Sequence, residues 1–480
     1  MNKILKMLAI PTFMLAMVGC SQDTLEDINK NENNPLDVPT KLAITDVMTR
    51  SAFTVTGSDF AFYASVYVEH NVGIYNQMYN AEVRSGEPIS STTYNNIWGA
   101  CYENLYNLKL IINKCSEGGA EANNFRTLGI AQILTAYNLA MLTDLMGDVP
   151  YSEALQPGVI FQPKLDKQED LYNTIFTLLD DAIANLGKET TYASLGTQDF
   201  LFGGNAAKWT KFANGLKARY TTRLSLKNGG KWDDVINFAN NSFADASEEC
   251  KFTYNGSSTN SPFYTFFTDR DYFGASQSLH NKLVERNDPR DAVYFMAYPG
   301  TETLTFAPNG GPDQRQGFYG ISALSSPTAP TFLMSYHEVE FLKAEAYARM
   351  GGHATEAAEA LKNGIVAAFI KVGLTEADAT TYFENEVTPR FNSNPIQEVM
   401  VQKYLAFFEE ESIEAYNDVR RLKALGENFI TLENPLNNNQ FPLRYTYGAD
   451  DVTTNPNIAS AYGNGSYVYT DNVWWAGGSK

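Results

Sequence analysis

His337-Glu338-Val339-Glu340-Phe341 opens like the helix of a zinc protease, in which two histidines four residues apart hold the metal and the intervening glutamate acts as base. Phe341 stands where the second histidine must be, so the metal would lack a ligand. Asp269-Arg270-Asp271-Tyr272-Phe273-Gly274 opens like a calcium loop. Phe273 replaces its third oxygen ligand, and His280 occupies the place of the closing bidentate glutamate. Only four histidines are present, His70, His280, His337 and His353, and neither a G-x-S-x-G elbow nor a phosphate-binding loop occurs. Any two carboxylates could form a glycosidase couple, but their separation in space is not written in a sequence. Glu409-Glu410-Glu411 reads more simply as a solvated helix face beside Arg420 and Arg421. The expectation is no catalytic residue, no metal site and no cofactor.

Chemistry of another kind is concentrated at Cys20. Lys3 and Lys6 precede an uncharged, mostly apolar run over residues 7–18. It is shorter than the roughly 20 residues that span a bilayer and fits the core of a secretory signal. Met17, Val18 and Gly19 lead into the cysteine. This resembles a bacterial lipoprotein signal, in which the cysteine is lipidated and becomes the mature N-terminus; Met17 stands where leucine is commonest. A plain signal peptide with an incidental cysteine is the alternative. Residues 1–19 are therefore expected to be a signal peptide and residues 20–37 a lipidated tether. The tether, with "NKNENNP" at Asn29–Pro35, is too polar to bury itself and should be flexible. Asp23, Glu26 and Asp27 resemble the surface-export signal of Bacteroidetes lipoproteins.

No later stretch approaches 18 apolar residues, which predicts a water-soluble body, and a hydrophobic content of 44% is ample for a core. The formal net charge is −19. So acidic a surface repels phosphate backbones, which argues against nucleic acid as a partner. Cys101 and Cys115 fall on one predicted helix, roughly 21 Å apart at 1.5 Å per residue, beyond disulfide reach. They are expected as small buried residues.

The elements that must position any site are mainly helical. Ile97, Trp98, Cys101, Leu105, Leu108, Ile112 and Cys115 recur at steps of mostly three and four and predict a helix from Tyr94, capped by Thr92 or Thr93 and ended by Gly118-Gly119. Further helices are predicted over 125–146, 169–186, 206–226, 232–243, 335–350, 355–371 and 396–425. Ala344, Tyr347, Gly351 and Ala357 approximate the spacing of a tetratricopeptide repeat, and Gly215–Asn240 echoes that layout. Residues 251–334 hold seven glycines and seven prolines in 84 positions and no sustained helical period, which predicts loop and short strand. The same 84 positions carry 15 aromatics, above the 13% of the whole chain. The tail, rich in Asn, Gly, Pro and Tyr, is expected to wrap the surface, with at least one of Trp474 and Trp475 buried.

Several stretches resemble the SusD/RagB outer-membrane lipoproteins. They are "GIAQILTAYNLAMLTDLMGDVPYSEAL" (Gly129–Leu155), "FGGNAAKWTKFANGLKARYTTRLS" (Phe202–Ser225), "NDPRD" (Asn287–Asp291), "FLKAEAYARMG" (Phe341–Gly351), "EAYNDVRRL" (Glu414–Leu422) and "FPLRYTYGADDVTTNPN" (Phe441–Asn457). They follow the family's order and span nearly the whole mature chain. The resemblance implies an all-α fold with a tetratricopeptide-like helical-repeat core and a loop-rich, partly irregular ligand-facing part. Residues 38–480 would form a single domain, with the helical core at about 38–250 and 335–430, the loop-rich part at 251–334 and the tail at 431–480. The resemblance further implies a non-catalytic protein on the outer leaflet, anchored in lipid through Cys20. It would cap a SusC-like TonB-dependent transporter and capture an oligomeric nutrient, most often a glycan.

The residues permit this. A sugar offers an apolar face to aromatic rings and a hydroxyl rim to amides and charged groups. That mixture occurs off the helical core in "GIYNQMYNAEVRSGEP" (Gly73–Pro88), "SPFYTFFTDRDYFGA" (Ser261–Ala275) and "RQGFYGIS" (Arg315–Ser322). The candidate contacts are Tyr75, Asn76, Tyr79, Phe267, Tyr272, Phe273, Phe318 and Tyr319; for each ring the competing role is to pin a loop to the core. Rival functions are capture of peptides, to which an acidic surface is suited when they are cationic, an all-helical glycoside hydrolase, and a structural adhesin without a small-ligand pocket.

Overall fold

Pro39 leads the chain into helix α1 (Thr40–Arg50) of the computed structural model, which describes residues 38–479. The predicted signal peptide, Cys20 and tether lie outside the described residues. Helices α2 (Asp59–Tyr67) and α3 (Asn76–Glu82) follow, and then α4 (Asn95–Cys115), which buries Ile97, Trp98, Cys101, Leu105, Leu108, Ile111 and Cys115 on one face. Neither predicted threonine caps α4, because the Thr93 hydroxyl donates to the Glu87 carbonyl at 2.6 Å. Against the expectation that no later stretch approaches the span of a bilayer, helix α5 (Phe125–Met146) is apolar and long enough to cross one, yet its apolar length is buried inside the fold. It packs between α4 and α6 (Gln168–Leu186), which explains why it lacks a polar face.

Helix α7 (Ala206–Arg223) starts at Asn205, whose side chain accepts from the Ala207 and Lys208 amides, and it packs on α8 (Trp232–Asn240). Residues 251–334 hold more helix than their composition predicts, namely α9 (Pro262–Arg270) and α10 (Gln277–Glu285). In "PFYTFFTDR" aromatics stand on several sides of so short a helix, and the period is hidden. Helices α11 (Tyr336–Met350) and α12 (Ala354–Lys371) form the predicted tetratricopeptide-like pair. Phe341 and Ala344 meet Ala357, Leu361 and Ile365 in a core of their own, and Gly364 lets α12 approach the Phe341 ring. The fold is all-α. Its six described strands are β1 (Asn71–Gly73), β2 (Cys250–Phe252), β3 (Phe273–Ala275), β4 (Phe295–Met296), β5 (Ile321–Ser322) and β6 (Thr331–Met334). They pair antiparallel as β1–β3, β2–β6 and β4–β5.

The helix expected over 396–425 is two, α13 (Pro395–Ala406) and α14 (Ser412–Ala424). Between them Glu409 takes a left-handed backbone, φ +72°, and turns the acidic run inward. Glu409 and Glu411 are buried, so the expected solvated face is wrong. Glu411 accepts from Ser335 at 2.7 Å and pairs with His337 at 2.6 Å, Glu410 pairs with Lys371 at 2.9 Å, and the Ser322 hydroxyl donates to Glu409. Burial drives the Glu409 carboxyl well above the usual range. His337 is thereby a core hydrogen-bond partner of Glu411.

The tail does not merely wrap the surface. Tyr445 is buried, stacks on Tyr94 with 4.3 Å between ring centres, lies 6.0 Å from Tyr67, and donates its hydroxyl to the Phe60 carbonyl at 2.9 Å. Trp475 is fully buried beside Arg420. Cys101, Cys115 and Cys250 are buried free thiols.

Beneath these helices runs a buried ionic network. Arg219 and Arg223, one turn apart on α7, reach Glu338 of α11 at 2.5 Å and Asp144 of α5 at 2.5 Å, and both face Glu414 of α14. Arg421 of α14 grips Glu345 of α11 at 2.7 Å and Asp418 at 3.0 Å.

Candidate functional site

Pairing of β1 with β3 brings together two loops some 200 residues apart in sequence. The register sets Asn71 against Ala275 and Gly73 against Phe273, and the Ile74 amide extends it by donating to the Tyr272 carbonyl at 2.8 Å. Gly274 makes the weave possible: a methyl there would stand 2.9–3.1 Å from Ile74, Ala307 and Tyr319. The Ala275 amide donates to Gly320 at 2.7 Å, and the Gly320 amide to Thr305 at 2.8 Å. The segments around residues 71–79, 267–275, 305–307 and 315–322 thus form one rigid face.

Tyr75 and Asn76 lie at the start of α3 on this face, Tyr75 being 37% exposed. The Tyr75 ring lies 5.7 Å from that of Tyr272, and the Asn76 amide donates to the Tyr272 hydroxyl at 3.1 Å. Tyr79, one turn along α3, is half-buried. Phe267 and Phe318 are half-buried on the other flank, with the Arg315 guanidinium 3.7 Å above the Phe318 ring. Three of the predicted contacts lie beneath the surface. Tyr272 and Phe273 are buried, the latter against Phe62, Phe263 and Phe266, and Tyr319 is buried with Val72, Ile74 and Ala307 while its hydroxyl accepts from the Asp313 amide at 3.0 Å. These rings support the face; of the predicted contacts, Tyr75 and Asn76 are exposed and Tyr79, Phe267 and Phe318 half-buried. Tyr298, which is not among the predicted contacts, is half-buried beside them with its ring 6.0 Å from Phe267. Its signal was the Tyr298-Pro299-Gly300 turn, which sets an aromatic at the edge of a loop.

Glu82 anchors the face from behind. Its carboxylate accepts from the Gly310 amide at 2.6 Å and the Gly73 amide at 3.3 Å, and burial pushes its pKa up to about 7 against the pull of Arg84. Among the described residues no group of three His, Cys, Asp or Glu side chains converges on a metal position. His280, at the end of the calcium-like stretch, stacks on Phe306 and bonds Asp291 at 2.7 Å.

A larger cavity, about 660 Å³, lies elsewhere, lined by Leu324, Phe332, Tyr336, Ile370, Lys371 and Glu410. Its central charges are spent on each other, Lys371 with Glu410 and Lys251 with Glu249 at 2.9 Å. The loop face combines partly exposed rings with the exposed Asn76 amide.

The family model described as "starch-binding associating with outer membrane", SusD-like in kind, matches residues 36–448. A solved SusD/RagB family protein from Bacteroides thetaiotaomicron is 44% identical, with a TM-score of 0.85 over 92% of this chain and 100% of its own. A chitin-binding SusD homologue from Flavobacterium johnsoniae has the same fold at 20% identity, TM-score 0.73, over 91% of this chain and 98% of its own. A further chitin-binding protein does so at 23% identity, TM-score 0.72, over 91% and 99%. No curated protein matches the sequence.

Proposed function

The chain belongs to the SusD-like family, and from that premise we propose that it captures an oligosaccharide at the outer membrane and hands it, uncleaved, to a SusC-like TonB-dependent transporter. Family members are outer-membrane-associated carbohydrate-binding proteins. The finer reading adds a lipid anchor at Cys20, an outward-facing body, and contact through Tyr75, Asn76, Tyr79, Phe267 and Phe318. One observation supports it above the others: the β1–β3 pairing brings the ring-bearing segments around residues 71–79 and 267–275 together, with Tyr75 and Asn76 exposed and Tyr79 and Phe267 half-buried. Rings stack on the apolar side of a sugar, while Asn76 and its neighbours bond the hydroxyl rim. A net charge of −19 favours neutral glycans over anionic ones. The partner transporter would supply the energy for uptake, and the pre-organised face would supply selection and capture.

The test is a glycan array probed with purified residues 21–480, followed by calorimetry on the glycans retained. Tyr75→Ala is expected to weaken the best of them about tenfold, near 1.4 kcal/mol, with an unchanged melting temperature. Retention of basic peptides and of no glycan would instead establish the peptide-capturing reading.

A further inference from the structure

Helices α1 and α4 each keep one large apolar side chain off the face they bury. Helix α1 buries Thr40, Ile44, Val47 and Met48, and Leu42 is left 49% exposed. Helix α4 leaves Leu110 44% exposed beside the buried Ile111. The two leucines line a groove of about 610 Å³ between the helices, together with Ala43, Ile111 and Ala120. Its frame is fixed: the Thr40 amide donates to Glu121 at 2.9 Å and the Glu121 amide to the Lys114 carbonyl at 2.9 Å, which ties the turn after α4 to the start of α1. Asp46 on the wall has its charge paired with Arg50 at 2.9 Å. Val38, the first described residue, is itself part of the lining, and Lys114 donates to its carbonyl at 2.7 Å. The chain therefore enters the fold along this groove.

We infer that the groove is the docking site of the segment that leads into it, with Leu25 and Ile28 seated against Leu42 and Leu110. Leu25, Ile28 and Leu36 are the aliphatic side chains between Ser21 and Asp37. A stretch too polar to bury itself can still bury these few groups on a surface that the body supplies. The chain from Ile28 to Val38 spans at most roughly 35 Å, enough to double back along α1, about 16 Å long. Covalent attachment holds the segment at an effective concentration in the millimolar range, which favours it over a free partner. Lys41, exposed beside Leu42, offers the opposite charge to Glu26 and Asp27. With Cys20 as the anchor, docking leaves only Ser21–Thr24 free, a reach of roughly 15 Å, and sets the α1–α4 end of the body toward the membrane. The docking itself does not depend on that anchor.

The experiment is the rate of tryptic cleavage after Lys30 in residues 21–480 under native conditions, read by mass spectrometry. Lys30 lies between the seated side chains and Val38, so docking shields it. Leu110→Glu puts a carboxylate into the apolar groove from an exposed helix position and should raise the cleavage rate at least about tenfold, with an unchanged melting temperature. Leu25→Glu, which lies outside the helical body, should raise it as much, and the two substitutions together should add nothing further. Equal rates in the wild type and both variants would overturn the inference. So would a response to Leu25→Glu alone, which would put the segment on another surface. Protection that fades on dilution would also overturn it and would give the groove to a second copy of the chain. Glycan capture is at stake in none of these outcomes.

Discussion

Arg223→Met is expected to destabilise the protein by about 3–5 kcal/mol, the usual cost of removing one partner from a buried ion pair. The guanidinium is fully buried beneath the Trp475 ring and joins Asp144 of α5 to Glu414 of α14. Burial alone would make the cation harder to keep, but the two carboxylates outweigh it and hold its pKa above the ordinary value. Methionine fills much of the volume and supplies no charge, so Asp144 is left with the Tyr172 hydroxyl, and Glu414 with Arg219 at 3.8 Å. Arg223→Lys keeps a charge but loses the fork that reaches both acids at once, and it should recover only part of the loss. The check is the melting temperature, with a fall of roughly 5 °C expected for Arg223→Met in a chain of this length. A fall within one degree would mean that the network is dispensable.

Gly73→Ala should be nearly as costly and should act directly on the site. An added methyl would stand 1.8 Å from the Met78 carbonyl oxygen and 2.3 Å from its carbon, both backbone atoms that cannot swing aside. Overpacking commonly costs about 1–3 kcal/mol, and a backbone obstacle places this substitution at or above the top of that range. Either the β1–β3 register or the start of α3 must give way, and Tyr75 and Asn76 lie on the chain between the two obstructing residues. Expected together are a lower melting temperature and loss of glycan affinity even where the protein remains folded. Retained affinity at full strength would show that the arrangement of residues 73–78 does not matter to the ligand.

Much of the scaffold was legible because its signals are local. Phe125–Met146 is a long apolar run stopped by Gly147-Asp148-Val149-Pro150, and the structure places its ends there. Ala344, Gly351 and Ala357 announced a close helix pair, which α11 and α12 form. What stayed hidden depends on partners distant in the chain. Glu409-Glu410-Glu411 looks solvated by charge alone; Ser322, His337 and Lys371 make it an interior cluster. Tyr445 lies in a polar, turn-rich tail, and the residues that bury it, Tyr67 and Tyr94, stand some 350 positions earlier. The ring-rich loops of the site could be read from composition, but their convergence could not. Nothing in residues 71–79 reports that they pair with 273–275, so exposed Tyr75 and buried Tyr272 look alike in sequence. Tyr298 does not stand out in sequence because the ring it meets, Phe267, lies in a different segment.

The central claim, capture without cleavage by the loop face, meets its most direct test in the mass of the glycan that co-elutes with residues 21–480 on gel filtration after prolonged incubation. The account predicts a retained oligosaccharide of unchanged length. A shortened product, or elution with no glycan bound, would contradict it.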